Sequence, residues 1–138
     1  MTTTELIRAN FALVVERSPD IVERFYARLF TEQPQLKALF GRRSEKAQAE
    51  MLTGALIAVV EHLEDASWLV NTLAPMGDKH RTYGVKDEMY PMVAGALLGT
   101  LKEVGGPDWN EPTAAAWLGA LTFVANTMIG GAGAVKAA

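Results

Sequence analysis

The stretch Met76-Gly77-Asp78-Lys79-His80-Arg81-Thr82-Tyr83-Gly84-Val85 decides how the rest of the chain is read. It holds one of two histidines in a 138-residue sequence without cysteine, so any strong iron or zinc site runs through His80 or His62. His62 lies fourteen residues beyond Gln48 on one expected helix. That is roughly 21 Å along the axis at 1.5 Å per residue, too far for a shared site. His80 is therefore the metal anchor the sequence offers. It falls near the end of a short helical segment that Gly84 can terminate in a left-handed conformation, which leaves the imidazole pointing inward from a fixed turn. A surface histidine is the alternative reading of the same residue.

Working outward toward the N-terminus, the expected helix from Glu45 to about Leu63 carries Leu52, Ala55, Leu56, Val59 and Val60 on one stripe. Gln48 extends that stripe by one turn, placing a polar residue on an apolar face. Ser44 is available as its cap, after a polar Gly41-Arg42-Arg43 loop. A short helical turn from Gln35 gathers Leu36, Leu39 and Phe40, with Pro34 punctuating the segment before it. That earlier segment places Ile21, Val22, Phe25, Tyr26 and Leu29 at helical spacing, with Ser18 expected as N-cap and Pro19 as first helical residue. Thr2 with Glu5 three residues on forms a capping-box pattern before a first helix running to about Arg17.

Between Asp65 and the histidine, Trp68 to Leu73 reads as helix and Pro75 is expected to kink or restart it. Beyond the histidine, Asp87 can cap a helix carrying Tyr90, Met92, Val93, Ala96, Leu97 and Leu101, which Gly105-Gly106-Pro107 stops. Asn110 and Pro112 open the last helix. From Thr113 to Ile129 it bears no charge on any face. It is either buried all round or partly buried in a subunit contact, with a membrane span as the third option. Trp117, Leu121, Val124 and Met128 offer more apolar surface than one core is expected to bury, which favours a homodimer. Gly130-Gly131-Ala132-Gly133 reads as a frayed tail.

No segment alternates with period two over a convincing length, and no Asn-Gly or Asp-Gly hairpin turn occurs, so the fold is expected to be all-α. Hydrophobic residues make up 49% and charged residues 21% of the chain, with net charge −3, which suits one globular domain over residues 1–138. Thirteen Lys and Arg scattered among sixteen acids argue against nucleic acid, which needs a basic stripe. Without cysteine there is no disulfide, thiolate metal site or thiol catalysis. The Met1-Thr2-Thr3-Thr4-Glu5 start lacks a basic region followed by an apolar one, so the expected place is the cytoplasm, with no membrane association.

Helices around one core with an inward histidine late in the chain suggest a helical cofactor pocket. Phe25-Tyr26, then Pro34 and Phe40, then Gln48 with Leu52, and finally Lys79-His80 leading through Gly84-Val85 to Tyr90-Pro91 resemble a single-domain bacterial globin. The pattern is most similar to the haem domain of flavohaemoglobins and covers about residues 4 to 129. The resemblance implies a globin fold of six to eight helices around a haem pocket, with haem b as cofactor. His80 matches the proximal ligand, its second ring nitrogen free to donate to a carbonyl one turn earlier. Phe40 matches the aromatic wedged against the haem. Tyr26 and Gln48 match the distal pair, both able to donate to a diatomic ligand, and Leu52 matches their apolar partner. Tyr90 matches a tyrosine near the proximal histidine, with Val85 and Met76 on the porphyrin edge. Lys79, Arg42 and Arg43 are candidates for the haem propionates.

The sequence departs from the family in one respect. The glutamate that flavohaemoglobins place against the proximal histidine is missing, because no Asp or Glu follows Glu111, and by counting Ala132 falls at its place. Strong peroxidase-like activity is therefore not expected. No G-x-G-x-x-G pattern follows a strand, so no flavin or nicotinamide domain is read in these residues. The resemblance implies reversible oxygen binding at ferrous iron, in storage or transport, with nitric oxide and carbon monoxide as further ligands. The alternatives are nitric oxide dioxygenation served by a separate reductase, or a free-standing gas sensor. No Ser-His-Asp or paired-carboxylate arrangement surrounds either histidine in the sequence.

Overall fold

The computed structural model of the chain describes residues 1–40 and 44–137, with side chains described to residue 130. The described residues form six α-helices: α1 Thr3–Arg17, α2 Ile21–Glu32, α3 Glu45–Glu61, α4 Ala66–Thr82, α5 Met89–Gly105 and α6 Glu111–Ala137. Two 3-10 segments, Pro34–Phe40 and Gly106–Asp108, link them, and no strand occurs among the described residues.

Local chemistry sets most helix ends. The Thr2 hydroxyl accepts from Glu5 N at 3.1 Å while Thr2 N donates to the Glu5 carboxylate at 2.9 Å, a reciprocal pair that satisfies two free N–H groups. Those bonds hold the Glu5 carboxyl below its ordinary pKa. Ser44, Asp65 and Asn110 accept from Ala47, Trp68 and Thr113 N in the same way. At the other ends, Arg8 donates to the Val60 and Glu61 carbonyls that finish α3, and Arg17 to the Gly105 carbonyl that finishes α5.

Four expectations need correction. The helix after Ser18 begins at Ile21, because the Ser18 hydroxyl bonds Asp20 instead of a helical N–H and its carbonyl accepts from Ile21 N in a turn. Pro75 does not restart the helix, since α4 runs unbroken through it from Ala66 to Thr82. The continuous stripe Leu69, Leu73 and Gly77 stays buried across it, whereas Pro75 and Asn71, whose carbonyl loses its helical donor, are exposed on the solvent side. Asp87 does not cap α5 with its side chain, since only its backbone carbonyl accepts, from Tyr90 N at 3.2 Å. Finally, α6 does not fray at Gly130 but runs on to Ala137.

The interior is divided in two. The larger cluster joins α1, α2, α5 and the first half of α6 through Ile7, Val14, Phe25, Leu29, Leu101 and Trp117. The smaller one, Leu69, Leu73 and Met128, joins α4 to the second half of α6 and draws in Val59, Trp68, Met76, Tyr90 and Val124. Trp117 and Met128, expected to exceed what one core buries, lie inside at 2% and 7% exposure, and Leu121 and Val124 are half-buried. The large residues α6 turns outward are Leu118 and Phe123. Residues Glu111–Gly130 are long and apolar enough to cross a membrane by length and composition, and 22% of that window is buried inside the fold, Ala116, Trp117 and Met128 among it.

One buried polar contact ties α1 to α6: the Trp117 indole N–H donates to Asn10 Oδ1 at 2.9 Å. Asn10→Leu leaves that N–H without a partner in a closed core, so we expect a loss of about 1–3 kcal/mol, measured by urea unfolding of the variant against wild type.

Candidate functional site

His80 lies in the last turn of α4, where three bonds fix the backbone. Val85 N donates to the His80 carbonyl at 3.0 Å and Tyr83 N to the same oxygen at 3.1 Å, while Gly84 N reaches Arg81 O at 3.1 Å. Gly84 closes the turn at φ +95°, a conformation side-chain-bearing residues rarely adopt. The imidazole is half-buried, and Nδ1 lies 2.7 Å from the Met76 carbonyl one turn earlier. A carbonyl only accepts, so Nδ1 carries the hydrogen, and in the neutral imidazole that leaves Nε2 as the nitrogen that can ligate a metal.

The candidate distal residues sit on the other side. Tyr26, half-buried on α2, packs within an aromatic group: Phe25 at 5.1 Å, Phe30 stacked at 5.8 Å and Phe40 edge-on at 5.6 Å between ring centroids. Phe30 and Phe40 also meet at 5.4 Å. This cluster fixes the ring and leaves the hydroxyl to its surroundings. Burial pushes the Tyr26 hydroxyl above its ordinary pKa, with the Gln48 contact opposing, so it is held as a protonated donor. Its acceptor is the Gln48 backbone carbonyl at 3.5 Å, long against the usual 2.7–2.8 Å or so for a hydroxyl, which makes the contact weak and easily exchanged. The structure thus brings Tyr26 and Gln48 together, through the Gln48 main-chain carbonyl at 3.5 Å and with the Gln48 side chain close enough to pull against the rise in the Tyr26 pKa.

Leu52, half-buried one turn beyond Gln48, packs with Phe40 against the larger cluster. Met76 and Tyr90 pack against the smaller one. The boundary between the two clusters therefore separates the candidate distal residues from the candidate proximal ones. The helices agree, since α3 is held by α1 and α2 whereas α4 rests chiefly on α6. Val85 is half-buried beside the turn, and Lys79 is exposed. Burial also raises the Tyr90 hydroxyl, with Arg81 working against it. Arg42 and Arg43 lie outside the described residues, as does the side chain of Ala132.

These residues fit a haem. Among the described residues no three His, Cys, Asp or Glu side chains come together, and one imidazole with a committed Nδ1 is what a porphyrin-bound iron requires of the protein. Phe40, Leu52, Met76, Val85 and Tyr90 are only half-buried and would each lose apolar surface to a flat group lying between the clusters. His62 makes the same local contact, Nδ1 2.7 Å from the Ala58 carbonyl, but its ring is stacked on Trp68 at 3.5 Å.

Two supporting residues were not read from the sequence as part of the site. Phe30 holds Tyr26 and Phe40 together, and its spacing four residues after Tyr26 was the available signal. Leu39 reaches from the 3-10 segment toward the proximal turn, its Cδ2 3.5 Å from where a side chain on Gly84 would begin, a contact with no local signature. The open grooves between α2 and α5, lined by Arg24, Arg28 and Glu103, and between α5 and α6, lined by Lys102, Trp109 and Leu118, lie apart from this site.

The Globin family description matches residues 23–128, and the chain belongs to the globin family. A flavohemoprotein of Xylella fastidiosa is 35% identical over 128 residues, which cover 91% of this chain and 32% of that protein. A flavohemoprotein of Chromobacterium violaceum is 30% identical over 130 residues, 93% of this chain and 32% of that protein. The chain thus spans about a third of the length of the curated relatives it matches. Among solved structures, an engineered carbene transferase from Rhodothermus marinus, itself a candidate nitric oxide dioxygenase, superposes with a TM-score of 0.79 at 28% identity, covering 98% of this chain and 92% of that one. A flavohemoglobin of Malassezia yamatoensis, solved with FAD and haem bound, gives 0.69 at 23% identity, covering 92% of this chain and 34% of that one, and supports the fold alone.

Proposed function

We propose that the chain binds haem b through His80 and reversibly binds oxygen, with Tyr26, Gln48 and Leu52 on the distal side. The observation that carries the proposal is the 2.7 Å contact between His80 Nδ1 and the Met76 carbonyl, which occupies one ring nitrogen and orients the other, Nε2, as the candidate ligand. When bound, the haem supplies a ferrous iron able to hold one diatomic ligand, oxygen, carbon monoxide or nitric oxide. Phe40, Met76, Val85 and Tyr90 would exclude water from its faces, and Lys79, exposed beside His80, would meet a propionate. The partner of Nδ1 is a neutral carbonyl, so the imidazole gains little imidazolate character, which supports oxygen binding over peroxidase-like activity. A strong Soret band after haem is supplied, together with reversible oxygen spectra, is the test.

The second reading is nitric oxide dioxygenation, in which nitric oxide and oxygen combine with one electron to give nitrate, a separate reductase supplying the electron. It is supported by the Rhodothermus marinus neighbour and by the flavohemoprotein relatives, of which this chain spans the globin part. With an added flavin reductase the haem-loaded chain is expected to form nitrate well above the protein-free rate. Nitrate at the protein-free rate would leave oxygen binding alone.

A further inference from the structure

Where α4 crosses α6 the two backbones come close together at Gly77. A Cβ placed there would lie 1.9 Å from the Met128 carbonyl oxygen, 2.5 Å from its carbonyl carbon and 2.6 Å from its Cα, so the α6 backbone itself occupies the space a side chain would need. Glycine inside a helix is otherwise unfavourable, and close backbone approach is the physical reason to keep it. Gly77 is buried, and the crossing is chiefly what holds α4 in the fold.

The same residue begins the other half of a rigid unit. The Met76–Gly77 peptide is planar, with the Met76 carbonyl at one end and Gly77 Cα at the other. The carbonyl accepts from His80 Nδ1 at 2.7 Å. Gly77 Cα rests on the Met128 carbonyl. One stiff plane therefore carries both the contact with α6 and the bond that orients the imidazole.

We infer that Gly77 is a positioning residue: its bare Cα seats α4 on the Met128 carbonyl, and the Met76–Gly77 peptide passes that position to the His80 ring. The inference rests on His80 being the haem ligand. It predicts that the height and tilt of the imidazole are set by the α6 backbone, without a side chain from α6 touching the ring.

The test uses the haem-loaded ferrous protein, read by the iron–imidazole stretching band in resonance Raman spectra and by carbon monoxide affinity. Gly77→Ala must part the two backbones by about 1 Å to bring its methyl out of the forbidden range. Helix shifts of about 1–2 Å underlie functional switching, so the band should move and affinity should change by about five-fold or more. Gly119→Ala on α6, where a Cβ meets nothing within 4 Å, should change neither. In a His80→Gly chain loaded with free imidazole the ligand is no longer tied to α4, and adding Gly77→Ala should leave the band where it was. An unmoved band in Gly77→Ala, or a shift that persists with free imidazole, overturns the inference. If Gly77→Ala does not fold, Leu73→Val trims the same seam one turn earlier while keeping Gly77. An unchanged band then supports the inference, and a shifted one shows that general packing sets the ring. A His80→Gly chain that holds haem normally without imidazole refutes the ligand reading itself, a result distinct from all of these.

Discussion

His80→Ala, supplied with haem, is expected to show at most a weak Soret band where the wild-type chain shows a strong one. In the proposed reading His80 would supply the one strong protein–iron contact, and no cluster of three metal-ligating side chains exists among the described residues to replace it. Removing only an outer partner of a metal-bound histidine costs about 10- to 100-fold in affinity, so removing the ligand itself should cost at least about 100-fold. His62→Ala is the matched control. Its Nδ1 makes the same 2.7 Å contact with a carbonyl four residues back, but the ring lies flat on Trp68, so its loss should leave the band intact. Free imidazole should restore the band in His80→Ala, showing that the fold survived. A haem titration followed by absorbance decides the matter, and a wild-type chain that stays colourless would end the haem reading.

The two histidines also show how far the sequence carries the site. Both were visible as the only imidazoles of a chain without cysteine, and the carbonyl one turn before His80 follows from helix geometry. The caps at Thr2, Ser44 and Asn110 were legible for the same reason, being bonds across three residues. Pro75 misled because its effect depends on distant burial, α4 continuing through it since α6 covers the stripe that spans it, and Pro19 misled because the Ser18 hydroxyl turns to Asp20 instead of a helical N–H. The acceptor of Tyr26 was invisible in the sequence because it is a main-chain oxygen, the same atom whatever residue occupies position 48. Gly77 was equally silent, as nothing in its neighbours announces the Met128 carbonyl that lies fifty-one residues on. Long-range backbone approach leaves no local pattern, and in this chain it is what sets the proximal helix in place.

Tyr26→Phe is expected to quicken oxygen dissociation by roughly ten- to a hundred-fold, the equivalent of about 1.5–3 kcal/mol for a hydrogen bond to a charged acceptor. The substitution removes one oxygen atom and keeps the ring, so the contacts with Phe25, Phe30 and Phe40 persist and the pocket walls should not collapse. The hydroxyl is available because its present contact, 3.5 Å to the Gln48 carbonyl, is too long to compete with a partly negative ligand at ordinary distance. It also stays protonated, since burial raises its pKa and so favours the neutral form that donates. Gln48→Leu should do less. The Tyr26 ring is held by Phe25, Phe30 and Phe40, so its placement survives the loss of the amide, and a glutamine side chain sacrifices more rotamer freedom when it donates. Carbon monoxide, which carries less negative charge when bound, should leave at nearly unchanged rates from both variants. Stopped-flow displacement of oxygen by carbon monoxide measures the effect directly, and equal oxygen rates for wild type and Tyr26→Phe would show that the hydroxyl keeps to the Gln48 carbonyl and takes no part in holding the ligand.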